Sequence, residues 1–478
     1  MIHSLRNAGI TRQTARHLTH LFLPILLFIC CPRFIFCQTG QDQGTGEFLK
    51  LSPKDAVELA IQNNLSLENA RITLDTKQRK ADLVWNQFLP TFSVNGILSR
   101  DNWATTSQGM DLSSWPPTTY SITLPQWHVA GSLSASWNFS FALVAGIQTI
   151  LSDYQAGLVT FEKARLQLER DIRKMYNQIL LTNESAVLLR ENYENVTRQA
   201  AIAEANYNAG LVPRLSWLQA QVAVENMRPT LNEMENGIKA QKANFAMTLG
   251  LPYDTEFEFE KFDGGNFSIP MDLSELISKA ASGKPDILEL QKNITVLQNS
   301  RKAMALQLLT PYLNLSWNLN TAFIRDPWKD NWFDYDSWRG SGSFNITLGI
   351  SLNNLFPFTK EGQGIKDLDN SIRALNIALA QVIRGTELEI FTKVNSLENT
   401  QTSMEVQRAA VELAELSYRL TEEAYRAGLQ DFQTVRSSAL ALEQAKYQLL
   451  SQQFSYINDL IDLEYAVGVP FGTLSSRY

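Results

Sequence analysis

The chain has 478 residues and a formal net charge of −7, with only three cysteines and four histidines. This acidic balance argues against a nucleic-acid partner, because binding to the phosphate backbone requires a basic face. With so few cysteines and histidines, the chain has few candidate ligands for a zinc site and few candidate residues for a Cys–His catalytic pair.

The first 37 residues have the pattern of a secretory signal. Residues 1–20 contain arginines and no acid, and an interrupted apolar stretch follows from Leu21 to Cys37. Its longest unbroken part is shorter than the roughly 20 residues that a spanning helix needs. We therefore predict a signal peptide over 1–37 and an N-terminal tail over 38–51, with a retained membrane anchor as the alternative.

Two fates are open for Cys37. Cleavage after it would leave Gln38 as the first residue, whereas lipidation would retain Cys37 as the first residue of a lipoprotein. We favour cleavage, because Phe36 stands where a small residue is expected before a lipidated cysteine. A chain that starts at Gln38 has no cysteine, one histidine and a net charge of −11, which suits an oxidising compartment.

An internal repeat organises the rest of the chain. The segment Tyr207–Leu211 recurs at Tyr425–Leu429, and Gly250-Leu251-Pro252 recurs at the same offset as Gly468-Val469-Pro470. We therefore predict two copies of one unit, over 52–252 and 272–470. A linker over 253–271 joins them, and a C-terminal tail covers 471–478.

Each copy is expected to contain a helix, a β-hairpin, a long helix and a returning helix. The first helices are predicted over 52–89 and 272–309, and the hairpins at about 91–140 and about 312–353, with polar loops near 101–127 and 325–341. The long helix from Phe141 to Ala209 would extend about 100 Å at 1.5 Å per residue. We expect a kink at Pro229.

The returning helix of the second copy has coiled-coil spacing, since its apolar residues recur mostly at threes, fours and sevens. These residues are Phe432, Val435, Ala439, Leu442, Leu449, Tyr456, Leu460 and Leu463.

The strands between the helices alternate between apolar and uncharged polar residues. Leu313, Leu315, Trp317 and Leu319 fall on one face, and asparagines and serine fall on the other. Segments of about ten residues with this alternation are typical of a transmembrane β-barrel wall, and a soluble sandwich is the alternative. Four strands cannot close such a barrel, so we expect dimers with eight strands or trimers with twelve.

These features together resemble the TolC family of outer-membrane efflux proteins. The resemblance rests on the paired Tyr-x-Ala-Gly-Leu turns, the two Gly-x-Pro ends, the junctions at Pro90 and Pro311, and the exit Asn354–Phe358 with Gly362 and Gly364. It implies a mainly α fold with a β-barrel part, in which coiled-coil hairpins and four transmembrane strands per protomer assemble as a homotrimer. The trimer would form a 12-stranded barrel in outer-membrane lipid and an α-helical barrel in the periplasm of a diderm bacterium.

The resemblance also implies partners at the tips of the helical hairpins. A periplasmic adaptor would dock there and connect the channel to an inner-membrane transporter of the RND, ABC or MFS type. By matching position, the docking tips are Gly210, Leu211, Val212, Gly428 and Leu429. The glycines also fit the left-handed conformation that such a turn requires.

One departure from the family pattern concerns the periplasmic aperture. The family has aspartates shortly after the tip glycines, whereas the matching positions here are Ser216, Thr434 and Ser437. The nearest charges are Arg214, Asp431 and Arg436. We therefore expect an aperture without the acidic, cation-binding ring.

The predicted function is a passive exit duct of a tripartite efflux or type I secretion system. No nucleotide-binding glycine loop is present, and we predict no enzymatic activity, cofactor or metal. We interpret His128, beside Trp127, as a membrane-edge residue. A periplasmic coiled-coil adaptor or spacer without a pore is the main alternative, and a passive porin or adhesin is a second one.

Overall fold

The computed structural model describes residues 49–103, 105–113, 115–260, 272–351, 358–427 and 429–474. Several predictions lie outside these residues: the signal peptide, the fate of Cys37, most of the tail and linker, the exit over 354–357, Gly428 and the last four residues.

The four long helices form two hairpins, as predicted. Helix α3 covers Phe141–Asn208 and α4 covers Arg214–Thr248, while α7 covers Lys360–Arg426 and α8 covers Phe432–Val467. Helix α4 continues through Pro229, and the kink there stays a prediction.

The first helix of each repeat is divided, which corrects the predicted continuous helices over 52–89 and 272–309. The first copy contains α1 (Pro53–Asn63), α2 (Leu65–Asp82) and a 3₁₀ turn (Val84–Phe88). The second contains α5 (Leu273–Gly283) and α6 (Pro285–Leu309).

Local chemistry explains both breaks. Asn64 is extended, and its side chain accepts hydrogen bonds from the amides of Ser66 and Leu67, which starts a new helix. Lys284 is extended because a residue before proline disfavours the helical conformation.

The repeated Gly-x-Pro motif packs against these breaks. Gly250 and Gly468 have φ of +77° and +76°, and each follows the last helix of its repeat. A side chain at Gly250 would collide with the Asn63 carbonyl, and one at Gly468 would collide with the Gly283 backbone. The motif therefore serves both the turn and the close approach of two backbones.

The main sheet has four antiparallel strands in the order β2-β5-β7-β8. These strands are β2 (Thr91–Arg100), β5 (Trp127–Ser140), β7 (Tyr312–Phe323) and β8 (Trp338–Gly349).

The predicted loop near 101–127 is not wholly irregular. It contains a second hairpin of β3 (Thr106–Asp111) and β4 (Thr118–Thr123), in which the ring of Tyr120 packs against Gly109. In the predicted loop 325–341, Tyr335–Ser337 form a 3₁₀ turn and β8 begins at Trp338.

A short parallel pair joins the predicted tail to the predicted linker. Strand β1 (Leu49–Leu51) pairs with β6 (Phe257–Phe259), an association that the sequence did not indicate. Leu51 and Phe257 are almost fully buried in an apolar cluster with α1, α3 and α4, and this burial holds the pair in place.

Three apolar clusters stabilise the helices. The first lies mainly in the first repeat and includes Ile172, Tyr176 and Phe245. The second lies in the second repeat and includes Ile390, Leu397 and Leu463. The third joins all four long helices near the hairpin tips.

Candidate functional site

The four-stranded sheet has one continuous apolar face. The strand register aligns Phe92, Ala135, Trp317 and Phe344 in one cross-strand row, and the rows on either side are apolar in the same sense. Many of these side chains are exposed in the single chain, including Val94 at 80% and Leu348 at 74%. An exposed apolar face of this size marks a surface that contacts lipid or protein.

The opposite face is polar and almost free of charge. Ser93, Ser134, Asn318 and Ser343 form one row, in which the Ser93 and Ser134 hydroxyl oxygens lie 2.6 Å apart. In another row the Asn314 amide donates to the Asn138 side-chain oxygen at 2.6 Å. Hydroxyl and amide groups of this kind suit a surface in contact with water.

Aromatic residues lie at both ends of the apolar face. Phe323 packs against Trp338 with ring centroids 5.2 Å apart, and Phe139, opposite Leu313, lies on the same face at the other end of the sheet. Strand β7 is about 36 Å long, which corresponds to about 28 Å along the normal at a tilt of about 40°. That height matches the hydrocarbon thickness of a bilayer.

Within the residues that the structure describes, β2 and β8 each pair with one strand, so both edges of the sheet are open in one chain. The helices repeat this arrangement: α2 packs on α3, α3 on α6 and α6 on α7. Towards the tips, α4 packs on α3, α3 on α8 and α8 on α7. Each row therefore starts with an element of the first repeat and ends with one of the second.

The helices at the ends of the rows near the tips carry exposed apolar side chains at helical spacing. They are Leu215, Leu218 and Val222 on α4, and Val406, Leu413, Leu416 and Leu420 on α7.

The first hairpin tip is a glycine turn with an exposed apolar residue. Gly210 has a φ of +76°, and the Leu211 amide donates to the Asn206 carbonyl at 2.8 Å. Leu211 is 74% exposed, whereas Val212 is half-buried. Trp217 stacks on Tyr207 at 5.3 Å between ring centroids, which holds α3 and α4 together below the turn.

The second tip has the matching bond, from the Leu429 amide to the Ala424 carbonyl, and Leu429 is 78% exposed. Asp431 caps α8 by accepting from the Thr434 amide at 2.8 Å and from its hydroxyl at 2.6 Å. These bonds hold the pKa of Asp431 below its ordinary value. Asp431 therefore acts first as a helix cap.

The predicted aperture positions fall into two groups. Thr434 and Ser437 lie with Asp431 on the first turns of α8, where the Ser437 hydroxyl donates to the Thr434 carbonyl at 2.9 Å. Ser216 lies with Arg214 on the first turn of α4. Arg436 is half-buried, and it lines a cavity between α3, α4 and α8 together with Glu443.

Polar contacts between α3 of the first repeat and α8 of the second form a joint that was not predicted from the sequence. Lys174 of α3 lies 3.0 Å from the Asp462 carboxylate of α8, and the Asn177 amide donates to Asn458 at 3.2 Å. Further along α3, Asn192 donates to the Glu443 carboxylate. The signal was available in the sequence: Ser185, Asn192 and Gln199 follow one another at intervals of seven, and all three are buried.

The two aspartates of this joint are paired with lysines, whereas Glu443 is not paired with a cation among the described residues. Lys393 of α7 contacts Asp459 at 2.6 Å and Asp462 at 2.9 Å. Burial opposes ionisation of Asp462, but Lys393 and Lys174 outweigh it, so the pKa of Asp462 is below its ordinary value. Burial raises the pKa of Glu443, whose bond from Asn192 compensates only in part.

Other chemistry is limited in the part of the chain that the structure describes. No group of three or more His, Cys, Asp or Glu side chains there could hold a metal ion. His128 lies 2.9 Å from Asp101 at the loop end of the sheet.

None of the helices within the described ranges combines the length and apolarity that crossing a bilayer requires.

Comparisons with known proteins agree on one class. The outer membrane efflux protein family matches residues 56–251. The pyoverdine export outer membrane protein OpmQ of Pseudomonas putida is 22% identical over 420 residues, which cover 86% of this chain and 84% of that protein.

Two solved structures have the same fold. The CmeC outer membrane channel of Campylobacter jejuni has a TM-score of 0.68 at 17% identity, over 87% of this chain and 85% of that one. The outer membrane protein VceC of Vibrio cholerae has a TM-score of 0.66 at 18% identity, over 88% and 96%.

Proposed function

Because this chain belongs to the outer membrane efflux protein family, we propose that it is the passive exit duct of a tripartite efflux or type I secretion system. The family consists of outer membrane channels and not of enzymes, and the chain is an outer membrane protein with a periplasmic helical domain. The two-faced sheet with its two open edges carries the proposal. Such a sheet is incomplete in lipid until its edges are paired.

Three copies complete the molecule in this proposal. Three sheets of four strands give a 12-stranded barrel, with apolar side chains towards lipid and the serine and asparagine rows towards a water-filled lumen. Three rows of four helices likewise close into a periplasmic α-barrel. The exposed apolar residues on α4 and α7 would then meet between neighbouring copies.

The internal duplication supports this closure and predicts its register. Thr91 and Tyr312 are equivalent, because each follows the proline that begins its hairpin. The β5–β7 contact inside the chain therefore has an equivalent between β8 and β2 of the next copy. Transferring the register pairs Gly349 with Asn95, and Asn345 with Ser99, of that copy. The transferred register again places apolar residues opposite apolar ones.

Secretion and docking complete the proposal. The signal peptide over 1–37 would direct export, with 52–252 and 272–470 forming the two repeats. The exposed tips at Leu211 and Leu429 would contact a periplasmic adaptor, which connects the duct to an inner-membrane transporter of the RND, ABC or MFS type. Pyoverdine, the compound that the name of OpmQ says it exports, is the first cargo to test.

Disulfide cross-linking tests the closure directly, because residues 38–478 contain no cysteine. We expect the double variant Asn345→Cys with Ser99→Cys to form covalent trimers on oxidation in outer-membrane fractions. Opposed residues of neighbouring strands lie about 4.5–5.5 Å apart between Cα atoms, within the range of a disulfide.

A displaced pair is the matched control. Asn345→Cys with Thr91→Cys uses the same polar face, but the transferred register places these positions eight residues apart. Cross-linking of the displaced pair alone would contradict the register. A monomeric chain in the soluble periplasmic fraction would contradict the proposed channel.

A further inference from the structure

The polar face of the four-stranded sheet carries a formal charge at one position. Arg339 of β8 pairs with Ala322 in the register and lies on the same face as Asn320 and Ser341. The other Lys, Arg, Asp or Glu of these four strands is Arg100. Arg100 is on the apolar face, where its guanidinium lies 5.6 Å from the centre of the Trp127 ring.

Arg339 faces open space. It lines a cavity of about 260 Å³ together with uncharged residues such as Ile97, Ala130, Ala322 and Ser341. These neighbours do not neutralise the guanidinium, and Arg339 is exposed. The cavity is therefore open to the polar side of the sheet.

Carboxylates of the neighbouring loops have other partners. Asp101 contacts His128 at 2.9 Å, Asp326 contacts Lys329 at 3.6 Å, and Asp334 accepts from the Ser337 hydroxyl at 3.0 Å. Within the ranges that the structure describes, no carboxylate forms an ion pair with Arg339. Its five donors remain available to a solute.

We propose that Arg339 forms a positive ring near the outer mouth of the lumen and binds anionic solutes as they leave. This inference rests on the proposed function, because it requires the polar face to line a closed pore. One arginine per copy then gives one ring. Arginine presents a planar fork that binds carboxylate or phosphate groups through two hydrogen bonds, so carboxylate- or phosphate-bearing cargo is the class that fits.

The dimensions allow one ring to influence the whole lumen. Twelve strands about 4.8 Å apart, tilted by about 40°, enclose a barrel about 24 Å wide between opposite backbones. The side chain extends inwards from the wall, and the Debye length at physiological salt is about 8 Å. The potential of the ring therefore reaches the pore axis, where low-dielectric walls focus it.

The three predicted aperture positions at the other end of the duct are uncharged, because they are Ser216, Thr434 and Ser437. Asp431 keeps its negative charge while it caps α8, but it lies at the helical tip and not on the strands. The charge at the outer mouth is then the dominant fixed charge along the lining that the strands provide.

Reversal potentials of single channels in a KCl gradient test the ring. We expect Arg339→Gln to lower the chloride-to-potassium permeability ratio by at least about twofold, and Arg339→Glu to lower it further, because the ring loses or reverses its charge. Citrate added on the loop side should block the wild-type current, and Arg339→Gln should weaken that block several-fold.

Arg100→Gln is the matched control, since it removes the same charge from the opposite face of the sheet. It should leave the permeability ratio and the citrate block unchanged. Conducting channels whose selectivity is insensitive to Arg339→Glu, or equally sensitive to Arg100→Gln, would overturn the ring and leave the duct intact. Failure of the wild-type trimer to conduct would overturn the proposed function, and the ring with it.

Discussion

The interior of each repeat and the joint between the repeats are built from different contacts. Inside the second repeat, Ile390, Leu397 and Leu463 are almost fully buried against one another's helices. Across the joint, α3 meets α8 through Lys174 with Asp462, Asn177 with Asn458, and Asn192 with Glu443.

The difference follows from the roles of the two contact types. Apolar burial is nondirectional and contributes most of the stability. A row of hydrogen bonds contributes less, but it fixes which positions face each other. Apolar contacts across the joint concentrate near the tips, and at Phe454 of α8, which packs in the cluster of the first repeat. We infer that the polar contacts fix the alignment of α3 on α8, whereas apolar burial supplies most of the stability.

The largest expected effect is inside a repeat. Leu397→Ala should lower the free energy of unfolding by about 2–5 kcal/mol, because the removed side chain is fully buried and its neighbours cannot collapse completely. Urea titration followed by helical circular dichroism measures this change. Thr402→Ala, on an exposed part of the same helix, is the control and should change stability by less than about 0.5 kcal/mol.

The joint should respond differently from the core. Asn177→Ala should lower the free energy of unfolding by about 1–3 kcal/mol, because it leaves the half-buried Asn458 side chain without its partner. The double change Asn177→Leu with Asn458→Leu should recover most of that loss, since both polar groups are removed together. A double variant as unstable as the sum of two single losses would show that the joint depends on more than this pair.

Features that repeat along the chain were predictable from the sequence. The long hairpins, the alternating strands and the glycine turns all follow from periodicity and from residues with one strong conformational preference, such as Gly210 and Pro285. The duplication also predicts which elements are equivalent.

Features that depend on distant pairing were not predictable in the same way. The β1–β6 pair joins residues about 200 positions apart. The alternation from Glu256 to Glu260 is typical of a strand, but nothing local indicates its partner. The break at Asn64 depends on a single side-chain cap inside an otherwise helical segment. Arg339 was visible as a residue, but its face is defined only by the register with Ala322.

The smallest expected effects are those of two acids of the joint, which should respond to pH with opposite signs. The folded pKa of Asp462 is lowered, so its contribution is present above the unfolded value of about 3.9 and is lost as the pH falls further. Asp462→Asn should therefore be less stable than wild type at pH 7 by about 1–2 kcal/mol. This difference should shrink below about pH 4.

The folded pKa of Glu443 is raised, so its favourable contribution belongs to the protonated form and is lost as the pH rises through the folded pKa. Glu443→Gln should therefore be equal to or slightly more stable than wild type at pH 7, by at most about 1 kcal/mol, because glutamine can accept from Asn192 without burying a charge. Near pH 4 the two proteins should converge. Urea titrations of both variants at pH 4, 5.5 and 7 measure how the stability difference from wild type changes with pH. If this difference changed in the same direction for both variants, the Glu443 carboxylate would be stabilised as an ion. The joint would then distinguish its two acids by position and not by charge state.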